Sequence, residues 1–207
     1  MRFGRKRDQS VPEEAAAPEV PETAAPATGP FDVADIDLEE SNLIDLGSLL
    51  IAPMENTDLR VQVDDTSGEI LSVMLLGENA ALEVRAFAAP RQPGLWEDTR
   101  RQIAAEIARA GGTADEREGT FGPELFVQQP ITTEDGQQGV QPSRVLGHEG
   151  PRWFLRSTLF GVPAVDPAEA GRWEDAVRAI VVRRGNDAMP PGEALPLVLP
   201  PDATRLD

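Results

Sequence analysis

The side chains in this sequence that are best suited to acid–base or ligand-binding chemistry cluster around one predicted turn. They are Arg144, His148, Glu149, Arg152 and Arg156. A histidine beside a glutamate could act as an acid–base pair, and we treat these five residues as a weak candidate ligand site. Because the pair is flanked by glycines, the turn is more simply interpreted as a solvated hairpin tip. No nucleophile or metal ligand accompanies it, so no reaction class follows.

Known catalytic motifs are absent from the sequence. It contains no Gly-x-Ser-x-Gly elbow, Walker loop, Gly-x-Gly-x-x-Gly fingerprint or His-Glu-x-x-His motif. The chain has no cysteine and a single histidine, which excludes disulfides and leaves an uncommon ligand set for zinc. Adjacent carboxylates at Asp64–Asp65 and Glu134–Asp135 fall in predicted turns, where they favour turn geometry. We therefore predict no catalytic residue, no metal and no cofactor.

Charge is distributed unevenly along the chain. The net charge of −17 disfavours nucleic acid as a partner, because phosphates require an excess of basic residues. Basic residues open the sequence, at Arg2, Arg5, Lys6 and Arg7. At about 1 kcal/mol per residue they allow at most a transient contact with an anionic membrane surface. No apolar leader or bilayer-length segment is present, so a cytoplasmic location is predicted.

Composition divides the chain into four parts. Residues 1–30 are rich in proline, alanine and glutamate and are predicted to be a disordered arm. Residues 31–58 interleave acidic and apolar side chains, and they either pack on the domain edge or form a docking motif for a basic partner. Residues 59–185 are predicted to form an α+β domain, and residues 186–207 an irregular, proline-rich tail.

Periodicity predicts both strands and helices in the folded part. Strands are expected at residues 59–63, 69–76, 82–86, 125–127, 144–146 and 153–160. One helix is predicted between the glycines at 94 and 111, and a second from about Pro167 to about Arg184. The predicted fold class is α+β, with one mostly antiparallel sheet and two main helices packed on it.

The two predicted helices share a sequence pattern. Each carries Trp-Glu-Asp followed by an isoleucine seven residues after the tryptophan, starting at Trp96 and at Trp173. This similarity allows two ββα units, over residues 69–110 and 144–184, that arose by duplication. The alternative is that two amphipathic helices acquired the same anchor separately. Either way, both tryptophans are predicted to lie in the core.

Segments spread over most of the chain resemble a known family. These segments are Phe31-Asp32, Asp35-x-Asp37-Leu38, Asp45-Leu-Gly-Ser48, Ala86-Phe-Ala-Ala-Pro90-Arg91, Gly94-Leu-Trp96, Gly111-Gly-Thr-Ala-Asp115, Phe121-Gly-Pro-Glu124-Leu125 and Gly150-Pro-Arg-Trp-Phe-Leu-Arg156. Together they resemble an actinobacterial family known only as domain of unknown function 3710. The resemblance implies an intracellular actinobacterial protein and supplies no catalytic or binding residue. The element order also resembles the Mog1/PsbP-like class, a likeness of fold that implies no function.

Two hypotheses of function follow. The first is a non-enzymatic protein-interaction or regulatory module, because catalytic motifs are absent and the arm carries a separable basic tip. The alternative is an enzyme or small-molecule binder, with a site near residues 144–156 or on the sheet face opposite the helices. A concave pocket would favour the alternative, and a smooth polar surface would not.

Overall fold

The computed structural model describes residues 29–39, 41–133 and 135–200. The predicted arm lies outside this range except for its last two residues, and so does the end of the predicted tail. The basic residues at the start of the sequence also lie outside it: Arg2, Arg5, Lys6 and Arg7. Among the described residues, none of the helices has both the length and the apolar character to span a bilayer.

The described chain is a mixed α+β structure dominated by strands. In chain order the strands are β1 (Phe31–Asp32), β2 (Ile44–Asp45), β3 (Leu49–Ile51), β4 (Asp58–Val63), β5 (Ile70–Leu76), β6 (Ala80–Ala88), β7 (Thr113–Gly119), β8 (Gly122–Thr132), β9 (Gln138–Gly150), β10 (Trp153–Gly161) and β11 (Val181–Val182). The helices are α1 (Leu95–Arg109), α2 (Val162–Val165) and α3 (Pro167–Arg178), with a short 3-10 helix at Val33–Asp35. The α+β class predicted from the sequence is confirmed at this level.

The strands form two sheets instead of the single sheet that was predicted. The larger has the order β4-β5-β6-β10-β9-β8-β7 and is antiparallel throughout. The smaller has the order β1-β11-β3-β2, with β1 parallel to β11. Strands of two or three residues are too short to show an alternating pattern, so the sequence did not indicate the second sheet.

The two main helices lie on opposite faces of the seven-stranded sheet. Trp153 and Leu155 of β10 pack in one apolar cluster with Trp173 of α3. Phe154, between them, packs in a second cluster with Trp96 of α1. Consecutive residues of a strand point to opposite faces, so the helices occupy opposite faces too.

Because each face of the sheet carries one main helix, no face lies opposite both helices. The sequence hypothesis of a site on such a face therefore has no counterpart in the structure. This arrangement also gives no support to duplication. If the two ββα units were duplicates, a twofold rotation about the normal to the sheet would relate β6 to its antiparallel neighbour β10. Such a rotation does not exchange the faces of the sheet, so both helices would lie on the same face. The two Trp-Glu-Asp helices are therefore not equivalent in their packing.

Helix α3, the second of the two predicted helices, ends earlier than predicted. It stops at Arg178 and not near Arg184, and Ala179 caps it. Ile180 is then fully buried, and the next two valines form β11 between β1 and β3. An apolar run of this kind fits a buried strand as well as a helix, so its pairing partners decide the outcome.

The predicted turn at residues 147–150 was also wrong. Strand β9 continues through these residues, and the reversal occurs at Pro151 and Arg152, where Arg152 has a φ of 62°. Gly147 has a packing role, because a Cβ at that position would overlap the Trp96 ring. A glycine within a strand often marks a close approach of this kind.

The two faces of the seven-stranded sheet are covered unequally. The main core lies between the seven-stranded sheet, α3 and the smaller sheet. On the other face α1 packs mainly against β7, β8 and β9. Among the described residues of β4, β5 and β6, the apolar cluster around α1 includes only Phe87 of β6. Both tryptophans are buried as predicted, with Trp96 at 8% and Trp173 at 4% exposure.

Candidate functional site

The structure does not bring the five predicted site residues together. Arg144 and His148 point to the α3 face of β9, and Glu149 points to the α1 face. Arg152 lies in the turn after β9, and Arg156 points to the α1 face of β10. These residues therefore serve different parts of the molecule.

Arg144 is the centre of a buried ion cluster. Its Nε donates to Oε1 of Glu124 at 2.8 Å, and its Nη2 donates to Oε2 of Glu124 at 2.9 Å and to Oε1 of Glu174 at 2.8 Å. Burial disfavours the charge, but the hydrogen bonds to the two carboxylates outweigh it and raise the pKa of Arg144. The cluster joins β8, β9 and α3, which assigns Arg144 a structural role.

His148 does not pair with Glu149, because the two side chains point to opposite faces of β9. Both ring nitrogens of His148 are buried and have no hydrogen-bond partner among the described residues. The ring packs edge-on against Phe121, with 4.5 Å between the ring centroids, and the Arg178 guanidinium lies 5.0 Å from the same Phe121 ring. Burial lowers the pKa of His148 to about 4. The imidazole is therefore neutral at neutral pH.

Acid is expected to destabilise the protein through His148. The pKa is about 4 in the fold against an ordinary value of 6.5, so the unfolded chain takes up the proton first. The contribution of the neutral imidazole to the free energy of unfolding is fully present above pH 6.5. It is lost as the pH falls towards 4, which lowers the free energy of unfolding by about 3 kcal/mol. We expect His148→Leu to remove this part of the pH dependence. Urea unfolding of both proteins between pH 7.5 and 4.5 measures it, and a pH-independent difference between them would contradict the prediction.

Glu149 caps the start of α1 from a distant strand. Its carboxylate accepts the backbone N–H of Gly94, at 3.0 and 3.1 Å to its two oxygens, and that of Trp96 at 3.1 Å. The N-cap residue Gly94 has no side chain to do this itself. A carboxylate at this position also interacts favourably with the helix dipole. The carboxylate of Glu149 therefore serves to cap α1.

Arg156 faces a second arginine that the sequence analysis did not single out. Arg85 of β6 lies directly opposite it in the antiparallel register. The two guanidinium carbons lie 5.6 Å (Arg156) and 5.4 Å (Arg85) from the centroid of the Phe87 ring. No carboxylate oxygen of the described residues lies within 4.0 Å of either guanidinium, and Nε of Arg85 is buried without a hydrogen-bond partner. Like charges directly opposite each other destabilise a sheet, so this pair is suited to binding an anion.

The surroundings neutralise the charge of this pair only in part. Burial, followed by the charge of Arg85, lowers the pKa of Arg156, while Glu83 and Glu106 oppose that shift. Glu106 is exposed on α1 and accepts a hydrogen bond from Gln102 at 2.9 Å. A guanidinium stays protonated at neutral pH, so a positive site persists beside α1.

Arg156 also lines a groove between α1 and the sheet. The groove has a volume of about 220 Å³. Its lining is Ile103, Glu106, Ile107, Val127, Gln129, Ser143, Val145, Arg156, Thr158 and Phe160. The groove therefore combines one cation, one carboxylate, one amide, two hydroxyls and an apolar wall, and Arg85 is not among its lining residues.

A second, wider groove lies beside α2 and α3, with a volume of about 640 Å³. It is lined by the acidic residues Glu78, Asp166 and Glu169. Its one basic residue, Arg172, donates a hydrogen bond to the carbonyl of Glu55 at 2.6 Å. We therefore take the groove beside α1 as the candidate site.

Comparisons with known proteins give a family and one similar structure. A family model described as "Protein of unknown function (DUF3710)" matches residues 29–205, which confirms the resemblance found in the sequence. Comparison with curated proteins found no match. The solution structure of cyanobacterial PsbP (CyanoP) from Synechocystis sp. PCC 6803 is similar, with a TM-score of 0.38 and 10% identity. The alignment covers 65% of this chain and 86% of that one.

Proposed function

We propose that this chain, which belongs to the DUF3710 family of proteins of unknown function, is a non-enzymatic binding module that holds an anionic group beside Arg156 and Arg85. The observation that supports this most is the pair of guanidinium groups directly opposite each other, with no carboxylate of the described residues within 4.0 Å. Bound between them, a carboxylate or phosphate group relieves their repulsion. The planar fork of arginine also matches the geometry of those anions.

The composition of the groove supports binding over catalysis. Its hydroxyl groups belong to Ser143 and Thr158, both buried. The single histidine of the chain, His148, points to the other face of the sheet. A serine or threonine needs an adjacent base to act as a nucleophile. In this groove the hydroxyls are suited to donating hydrogen bonds to a ligand.

The anionic group has two possible sources. It is either an acidic side chain of a protein partner, which agrees with the first hypothesis from the sequence, or the anionic group of a small molecule, which agrees with the alternative. The β4–β5 side of the α1 face, which contributes no described residue to the apolar cluster around α1, favours a protein partner, and the concave groove favours a small molecule. The cytoplasmic location stays a prediction from the sequence.

Arg156→Gln and Arg85→Gln are each expected to weaken anion binding about tenfold or more, because each removes a charge-assisted hydrogen bond. The binding is measured by NMR titration of the full chain with acetate, inorganic phosphate and a glutamate-rich peptide. A higher affinity for the peptide than for acetate identifies a protein partner. Raising the salt concentration should weaken all three interactions.

The matched control is Arg91→Gln, which removes the same charge from an exposed position that neither lines the groove nor pairs with Arg156 in the sheet. This variant should bind like the unmodified chain. Arg85→Gln should also leave the free energy of unfolding unchanged or slightly higher, since it removes a like-charge contact. Equal anion affinity in all three variants and the unmodified chain would contradict the proposed function.

A further inference from the structure

Resting on the proposed function, we infer that the ligand of the groove beside α1 is a small monocarboxylate with an apolar tail. The carboxylate lies at Arg156, and the tail lies against the apolar wall that α1 and the sheet form. The inference is drawn from the order of side chains along β10, the number of charges in the lining, and the volume of the groove.

The order of side chains gives the groove a polar end and an apolar end. Arg156, Thr158 and Phe160 alternate along β10 and point to the same face. They therefore form a row in which each side chain is about 6.6 Å from the next, running from a cation through a hydroxyl to an aromatic ring. Opposite this row stand Ile103 and Ile107 of α1, one helical turn apart. A ligand that spans the row meets positive charge at one end and apolar surface at the other.

The charges in the lining select a monoanion. Arg156 is the one cation among the described lining residues, and Glu106 lines the same groove. The carboxylate of Glu106 offsets part of the charge of Arg156, and it repels any second negative charge on a ligand. A dicarboxylate or a phosphate dianion therefore binds less well than a monocarboxylate.

The lining also disfavours a strongly polar ligand. Besides the two charged residues, its polar side chains are Ser143, Thr158 and Gln129. A sugar would leave most of its hydroxyl groups facing Val127, Val145 and other apolar side chains, at a cost for each unpaired group. A volume of about 220 Å³ fits a compact acid and not a long lipid. A short straight or branched alkyl chain suits this surface.

The test is a chain-length series. The full chain is titrated with acetate, butyrate, hexanoate and octanoate at constant ionic strength, and with hexanol and succinate. We expect affinity to rise about fourfold for each buried methylene and to level off once the tail outgrows the groove. Hexanoate should bind more tightly than succinate. Glu106→Gln should narrow the difference between hexanoate and succinate, because it removes the repulsion.

The outcomes separate this inference from the proposed function. Arg156→Gln should weaken every acid about tenfold and leave hexanol unchanged. Equal affinity across the series, with dependence on Arg156 retained, would overturn the ligand class and leave the anion site standing. Binding of the acids that does not depend on Arg156 would overturn both.

Discussion

Replacing Arg144 by methionine is expected to lower the free energy of unfolding by about 3–5 kcal/mol. The change leaves the carboxylates of Glu124 and Glu174 buried without their cation, and Arg144 itself is only 9% exposed. Removing one partner of a buried ion cluster costs far more than the cluster contributes as a whole, because an uncompensated charge stays in the interior. Urea unfolding at pH 7 measures the loss.

Two comparisons test the cause of that loss. Adding Glu124→Gln and Glu174→Gln to Arg144→Met should recover part of the stability, because the buried charges are then gone. Arg183→Met removes a partly exposed ion pair with Asp45 and should cost at most about 1 kcal/mol. If the Arg144 variant loses no more stability than the Arg183 variant, the cluster does not have the structural role assigned to it.

Trp96→Ala is expected to cost about 3–5 kcal/mol. The indole stacks on Phe154 with 5.7 Å between the ring centroids, donates its Nε1–H to the carbonyl of Pro123 at 2.8 Å, and fills the space left by Gly147. The substitution removes all three contacts and opens a cavity under α1. Denaturant unfolding of the variant, followed by circular dichroism, measures the effect.

The same substitution should also weaken ligand binding in the groove. Trp96 anchors α1, which carries the isoleucines of the groove wall. Trp173→Ala is the matched control, since it removes a tryptophan of similar burial from the opposite face of the sheet. We expect a comparable loss of stability in both variants, with reduced hexanoate affinity only for Trp96→Ala. Equal loss of affinity in both would show that the groove depends on general stability and not on the anchor.

The features predicted correctly from the sequence are those that depend on neighbouring residues. Helix α1 begins after Gly94 with Glu97 and Asp98 in its first turn, and it ends before Gly111. These are local signals of a helix start and stop. Strands β4 to β6 likewise follow one another with short turns, so their order was predictable. The burial of Trp96 and Trp173 follows from their place on apolar helix faces.

The candidate site depends on contacts between distant segments. Arg85 and Arg156 meet because β6 pairs with β10, and no spacing in the sequence indicates that pairing or its register. The sequence placed Arg156 with His148 and Glu149 because they are close along the chain. A strand sends consecutive side chains to opposite faces, so closeness along the chain did not produce a common site.

The position of β10 in the sheet has a consequence for how the protein folds. The meanders β4–β6 and β7–β10 each form from neighbouring segments, but the sheet becomes continuous only when β10 pairs with β6. Its pairing with β6 joins distant parts of the chain and costs loop-closure entropy before the new contacts compensate for it. The pairing of β10 with β6 is therefore expected to limit the folding rate. Because this pairing brings Arg85 opposite Arg156, only a chain that has completed this step can bind the ligand.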